Sequence, residues 1–415
     1  MKRWQETSEI FGRLAKLNAA GQHAAVACVV HISGSAYRRP GARFLISPDG
    51  STIGGISGGC LEEDVRRTGL TAIEDGECRL LHYETGKDDD PLWGLGLGCD
   101  GEVDVFVAPT SSPGLGDAIA RTSGLFAGDE PFSMVTIIDN DRTDQAALAG
   151  RLFVLGPTCD AVGSGDGPGS APDDDGPSVE TEAGDTDLSE ALAATHTALA
   201  GGKSRIVEIG GVRAFVEVFQ PPSHLVVCGA GDDAMPLVAS AASAGFRVVV
   251  VDHRPAYLTA ERFPAARELV QALPEDDAPE IPADADTFVV LKTHNLVRDK
   301  AWAQRFAAAP VPYLGLLGPR PRCEEIAAEI AESAAGATGE TPGAGDREAK
   351  DRADETGTAG NRIFGPVGLD LGAEGPEQVG MAVVAELLAV RSGRRPGHLR
   401  DRETPIHERE PSANP

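Results

Sequence analysis

Residues 224–252 read HLVVCGAGDDAMPLVASAASAGFRVVVVD, and this stretch decides the fold of the second half of the chain. His224 to Cys228 is an apolar run of strand length, Gly229-Ala230-Gly231-Asp232-Asp233-Ala234 a tight turn, and Ala234 to Ala244 an Ala-rich helix. A second apolar run, Arg247 to Val251, ends in Asp252. Strand, glycine turn, helix and strand in this order form a βαβ unit with a G-x-G-x-x-A turn and an acid about twenty residues after the first glycine. Gly229 and Gly231 let the backbone approach a phosphate, and Asp252 is placed to accept a hydrogen bond from a ribose hydroxyl. NAD(P) is the cofactor this fingerprint suggests, and an NAD(P)-dependent oxidoreductase the corresponding activity. Asp232 and Asp233 count against it, because carboxylates at a helix N-terminus satisfy the dipole themselves. Further signals follow at strand Asp286 to Leu291, helix 298–308, strand Pro312 to Leu316 and helix 322–332. Residues 221–393 are therefore expected to form a Rossmann-like, doubly wound parallel-sheet domain.

Pro221-Pro222 punctuates the boundary, and the sequence before it has another character. A helix is expected over about 5–20, then strands at Ala24 to Ile32, Arg43 to Ser47 and Ser51 to Ile53, the last two joined by a Pro48-Asp49-Gly50 hairpin turn. Later strands fall at Glu102 to Val107, 134–139, 151–155, 204–209 and 213–219, which makes residues 1–220 an α+β domain with a mixed or antiparallel sheet. Two glycine-rich segments in it each carry a cysteine: Gly54-Gly55-Ile56-Ser57-Gly58-Gly59-Cys60, leading into a helix, and Gly94 to Gly101, containing Cys99. Cys60 falls at or near that helix's N-terminus, where the dipole favours a thiolate, and Cys99 lies where glycines expose the backbone to a ligand. The alternative for either is a small buried residue, the role expected of Cys28 and Cys228 inside apolar strands. Arg38, Arg39 and Arg43 place three guanidinium groups within six residues, and such forks suit a phosphate. Surface ion pairs are the alternative for each arginine taken singly.

The 415 residues carry 64 acids against 37 bases, a net charge of −27, which excludes nucleic-acid binding through the overall field. The acids include Asp88-Asp89-Asp90 and Asp173-Asp174-Asp175, a usage read as adaptation to high salt. Segments at about 160–190 and 333–360 and the tail 394–415 are too polar to pack and are expected as exposed insertions and a disordered end. No apolar run approaches the ~20 residues a membrane span needs, and a cytoplasmic protein is expected. The seven cysteines form no CxxC pair, so they are expected as thiols rather than zinc ligands or disulfides. No H-E-x-x-H, G-x-S-x-G or Walker A motif is present, and no hydrolytic triad announces itself.

Several of these segments resemble the XdhC and CoxI family of accessory factors of xanthine and carbon monoxide dehydrogenases. The run Gly34 to Ala42, the Gly58-Gly59-Cys60-Leu61-Glu62 signature and Gly96 to Val103 resemble its N-terminal domain. His224 to Ala234, Val251-Asp252-His253-Arg254-Pro255, Lys292-Thr293-His294, Gly315 to Arg320 and Gly365 to Gly372 resemble its C-terminal domain. The resemblance implies a protein that binds the molybdenum cofactor, shields it and delivers it to a molybdenum hydroxylase, with sulfuration assisted by a cysteine desulfurase. It makes Arg38, Arg39, Arg43, Gly58, Gly59, Cys60, Glu62 and Cys99 candidate molybdopterin contacts, with the Cys60 sulfur a suitable neighbour of molybdenum. Gly229, Gly231, Asp252 and Arg254 are the candidates in the second domain, and a homodimer is expected from the family and from general frequency. The chain departs from the family in having Asp100 after Cys99, where a second glycine is usual, and Pro319 before Arg320, where a serine is usual.

Overall fold

A computed structural model describes residues 2–34, 38–85, 101–112, 115–140, 152–155, 204–209, 212–278, 280–338 and 362–403. Cys99, Cys159, the 160–190 segment, most of 333–360 and the end of the tail lie outside the described residues. The chain divides into two compact units, Met1–Pro221 and Pro222–Pro415.

The first unit opens with helix α1 (Lys2–Ala19), followed by β1 (Ala25–Gly34), β2 (Arg43–Ile46), β3 (Thr52–Gly54), α2 (Glu62–Asp75), β4 (Arg79–Thr85) and β5 (Gly101–Pro109). After α3 (Leu115–Ala127) come β6 (Phe132–Asn140), β7 (Leu152–Leu155), β8 (Arg205–Ile209) and β9 (Val212–Phe219). These strands make two sheets: a five-stranded one ordered β3-β2-β1-β5-β4 and a four-stranded one ordered β7-β6-β9-β8. Every pairing in both is antiparallel.

Strand β1 is apolar on both faces because both are covered. Ala25, Ala27 and Val29 pack with Val65 and Ala72 of α2, while Val26 faces the α1 and α3 side chains. Cys28 and Val30 meet Ile138 and Phe215 of the four-stranded sheet. An aromatic cluster closes this second core, with Trp4 edge-on to Phe126 at 5.2 Å and Phe132 stacked on Phe219 at 4.9 Å. Helix α3 and edge strand β4, absent from the sequence-based expectation, complete the unit.

The second unit contains β10 (His224–Cys228), α4 (Ala234–Ser243), β11 (Arg247–Asp252), β12 (Glu268–Gln271) and β13 (Thr287–Leu291). It continues through α5 (Leu296–Ala307), β14 (Tyr313–Leu316), α6 (Arg320–Thr338), β15 (Ile363–Phe364) and α7 (Gly375–Arg391). Its six strands are all parallel and ordered β12-β11-β10-β13-β14-β15. Numbered within the unit this is 3-2-1-4-5-6, the doubly wound Rossmann order, as expected from residues 224–252. One face buries Val226, Val249, Val289 and Leu314 against Trp302 and Phe306 of α5 and Ile326 of α6. Helix α4 lies against β10, β11 and α7. Beyond α7, the described residues 394–403 include a short 3-10 turn, Leu399–Asp401.

Candidate functional site

In the first unit the chain after β1 and the loop after β3 leave the five-stranded sheet in the same direction, at staggered levels. Phe44 pairs with Gly54, so β2 starts where β3 stops, and Gly34 pairs with Gly101, so β1 ends where β5 begins. The chain after β1 leaves at Gly34, six residues past the Cys28–Arg43 pair, and returns through Arg38 and Arg39 to β2, while the glycine loop leaves β3 at Gly54.

The glycine loop is braced from within. Glu62, in the first turn of α2, reaches back so that its Oε1 accepts from the amides of Ser57 at 2.8 Å and Ile56 at 3.2 Å, and its Oε2 accepts from the Ser57 hydroxyl. Partial burial opposes the charge of Glu62, but the Ser57 hydroxyl and amide outweigh it and hold the carboxyl below its ordinary range. Ser57 Oγ in turn accepts from the amides of Gly59 at 3.1 Å and Leu61 at 3.2 Å, and the Cys60 thiol lies 3.4 Å from it. Gly59 has φ +116, which excludes most side chains, and nothing lies within 4 Å of a Cβ built on Gly58 or Gly59. The outcome is a rigid, open rim of backbone with a half-buried thiol beside it. Glu62 builds the rim rather than facing a ligand.

The three arginines separate. Arg43 is corrected from anion ligand to core residue: its guanidinium is buried and forms a two-pronged ion pair with Glu217 of β9, with Nη1 to Oε1 at 3.0 Å. It also lies over the rings of Phe11 and Phe219, so no face is left for a ligand. Burial alone would lower its pKa, and the Glu217 carboxylate raises it above the usual value. Arg38 pairs with Glu6 at 2.5 Å and is half-buried. Arg39 is exposed. Burial pushes the thiol of Cys28 up to about 12 and that of Cys228 well above its ordinary value, which leaves both as packing residues.

In the second unit the fingerprint residues are engaged with the protein itself. Gly229, at φ +120, lets the end of β10 pass the end of β13, since a Cβ there would lie 2.5 Å from the Lys292 carbonyl. Asp252 is buried, and both its oxygens are used. Oδ2 accepts from the Ala230 amide at 2.8 Å and Arg254 Nη2 at 2.9 Å, and Oδ1 accepts from the Arg254 amide and Nε, each at 2.9 Å. Burial would raise its pKa, but the Arg254 side chain and the Ala230 amide outweigh that and hold it far below the carboxylate range. Arg254 also lies 3.9 Å over the Tyr257 ring. Asp252 is thus occupied where a ribose hydroxyl was expected, and the Ala230 amide is occupied where a phosphate was. Beside it lies a small indentation, with room for about one water, whose walls include Asp252, His253, Arg254, Leu273, Arg298 and Trp302.

Sequence reasoning assigned no role to Lys292, Glu217 or Ser57. Lys292 directly follows the buried strand β13, and its ammonium lies 2.8 Å from Asp233 Oδ2, which His294 Nε2 also meets at 2.9 Å. A lysine ending an apolar strand was the available signal for a buried countercharge. Asp299 of α5 similarly ties the loop after β13 to the first turn of α6, accepting from the Thr293 amide at 3.1 Å and from Arg322. Among the described residues no group of three or more His, Cys, Asp or Glu could hold a metal ion, and no helix is long and apolar enough to cross a membrane.

Comparison with known families places both units. The model of the XdhC Rossmann domain matches residues 225–387, and that of the XdhC and CoxI family matches residues 17–84, together more than half of the chain. The chain belongs to the XdhC and CoxI family. A relative from Bacillus subtilis (strain 168), named as a probable xanthine dehydrogenase subunit, is 28% identical over 371 residues, covering 89% of this chain and 94% of that protein. The uncharacterized protein YqeB of Escherichia coli (strain K12) is 29% identical over 191 residues, 46% of this chain and 31% of its own length. A crystal structure titled as a xanthine dehydrogenase from Bacillus halodurans superposes with a TM-score of 0.64 at 24% identity, over 93% of this chain and 96% of that one, a likeness of fold.

Proposed function

We propose that this family member serves a xanthine dehydrogenase-type molybdenum hydroxylase as an accessory protein, and that its first unit carries molybdenum cofactor as cargo. One observation supports this above the rest: the half-buried Cys60 stands on a braced glycine rim whose backbone is open at Gly58 and Gly59. A soft sulfur beside bare backbone fits a cargo with a soft metal centre, and Arg39 supplies an exposed guanidinium for its phosphate. Glu62 and Ser57 hold the rim in shape, and Arg43 anchors β2, the partner of the strand that leads into it. A carrier of this kind requires reversible, shielded binding and no general acid or base.

Anaerobic titration of the purified protein with molybdenum cofactor in molar KCl, followed by release and fluorescence of the oxidised pterin, tests this reading. Stoichiometric loading by the native chain, weakened at least tenfold in Cys60→Ala, is the expected result. Absence of loading in both proteins, each folded, would remove the carrier reading.

A further inference from the structure

A dinucleotide fingerprint works through three features: room for a phosphate over the second glycine, backbone amides at the start of the following helix, and an acid that offers a carboxylate oxygen to a ribose hydroxyl. Each is spent here within the chain itself. A Cβ built on Gly231 would lie 2.6 Å from Asp233 Oδ1, so a carboxylate stands where the phosphate would approach. At the start of α4 the amides of Ala234 and Met235 donate to the carbonyls of Gly231 at 2.9 Å and Asp232 at 3.2 Å, and Pro236 has no amide hydrogen. Asp252 accepts through both oxygens, from Arg254 and from the Ala230 amide.

The same contacts tie the turn to its neighbours. Asp232 Oδ1 pairs with Arg262 at 2.7 Å, and that guanidinium also donates to the Ala230 carbonyl at 3.1 Å and lies 5.1 Å over the Tyr257 ring. Asp233 Oδ2 pairs with Lys292 at 2.8 Å and with His294 at 2.9 Å. The turn after β10 is thus fastened to the segment after β11 through Arg262 and to the segment after β13 through Lys292 and His294. These are the two strands that flank β10 in the sheet.

We infer that the parallel-sheet unit takes no NAD(P): its fingerprint is a clasp closed by Asp232, Asp233 and Asp252, whose work is to fasten the strand ends at the switch point. A pyrophosphate there would meet two carboxylates, each already neutralising a cation of this chain, in place of bare amides. The residues that announce an NAD(P)-dependent oxidoreductase in the sequence therefore hold the fold instead of a cofactor. This inference concerns the parallel-sheet unit alone and stands apart from the cargo reading of the first unit.

Thermal unfolding of the full chain, with and without NADH or NADPH at about 1 mM, the upper end of ordinary KM values, tests it. A ligand at about 100 times its Kd raises Tm by roughly 5–10 °C in a unit of this size. The expected result is no rise with either nucleotide and no saturable quenching of NADH fluorescence. Asp233→Ala is expected to lower Tm by at least about 5 °C, because it strands the buried Lys292 ammonium. A nucleotide-dependent rise in the native chain, or saturable quenching, overturns the absence of a cofactor. An Asp233→Ala protein that melts with the native one overturns the clasp. Should Asp233→Ala give no folded protein, Arg262→Met must lower Tm in its place, and no change in it would be equally decisive.

Discussion

Glu217→Gln is the substitution that most directly tests how the first unit is held together. Arg43 and Glu217 have side-chain exposures of 4% and 0%, so neither can recover water as a partner if the other is lost. Arg3 shares the site: its guanidinium lies 5.0 Å over the Phe219 ring and donates to Ser204 Oγ at 3.1 Å. Burial lowers the pKa of Arg3, with Glu217 opposing that fall and Arg43 adding to it, so one carboxylate neutralises two crowded cations. Removing one member of a buried pair costs about 3–5 kcal/mol, and two stranded cations place Glu217→Gln near the upper figure. In a unit of this size about 1 kcal/mol moves Tm by roughly 2–4 °C, which gives a fall of roughly 10–20 °C. Arg43→Met leaves Glu217 facing Arg3, so its expected loss is smaller, about 3 kcal/mol. Thermal unfolding followed by circular dichroism in molar KCl measures both, since salt screens a buried pair weakly. Refutation would be a Glu217→Gln protein melting with the native one, or Arg43→Met proving the worse of the two. An Arg43→Met protein that melts normally and no longer loads pterin would return Arg43 to the cargo site.

Gly58→Ala should change stability by less than about 0.5 kcal/mol, because open space surrounds that position. Its effect is expected in the pterin titration instead, and full loading by the variant would show that the rim is not approached closely. Gly229→Ala combines a φ of +120 with a Cβ placed 2.5 Å from the Lys292 carbonyl, and a loss of more than about 2 kcal/mol is expected in denaturant melts. A neutral result would mean that β10 and β13 do not pass as closely as the structure has them. Asp252, whose folded pKa is depressed, contributes stability above the ordinary carboxylate value of about 4 and loses it as pH falls through the lower folded value. Asp252→Asn should therefore cost about 3 kcal/mol near neutrality and progressively less below about pH 4. A gap between the two proteins that stays constant from pH 7 to pH 3 would contradict that assignment.

What could be read from the sequence followed from how far apart interacting residues lie along it. The strands β10, β11 and β13 bury both faces and so appear as unbroken apolar runs, which made the parallel sheet legible from the stretch 224–252 and the run at 286–291. Edge strands β4 and β12 have one face in water and carry Arg79, His82, Glu268 and Gln271, so their sequences look like loop. Helix α7 has an apolar face in Val383, Val384 and Leu387, but it follows a glycine-rich segment and is not among the helices expected within residues 221–393. The site divides in the same way. Asp252 and Arg254 are two residues apart and stand together in one motif, whereas Arg43 and Glu217 are 174 apart. Each of the latter interrupts an apolar strand, in Arg43-Phe44-Leu45-Ile46 and Phe215-Val216-Glu217-Val218-Phe219, which announces a buried charge without naming its partner. An arginine cluster beside glycines therefore reads as one anion site until the fold takes one member inward. Arg39 is left exposed and Arg38 is paired with Glu6, so the cargo reading proposed above rests on the rim that Ser57 and Glu62 brace beside Cys60 rather than on an arginine cluster.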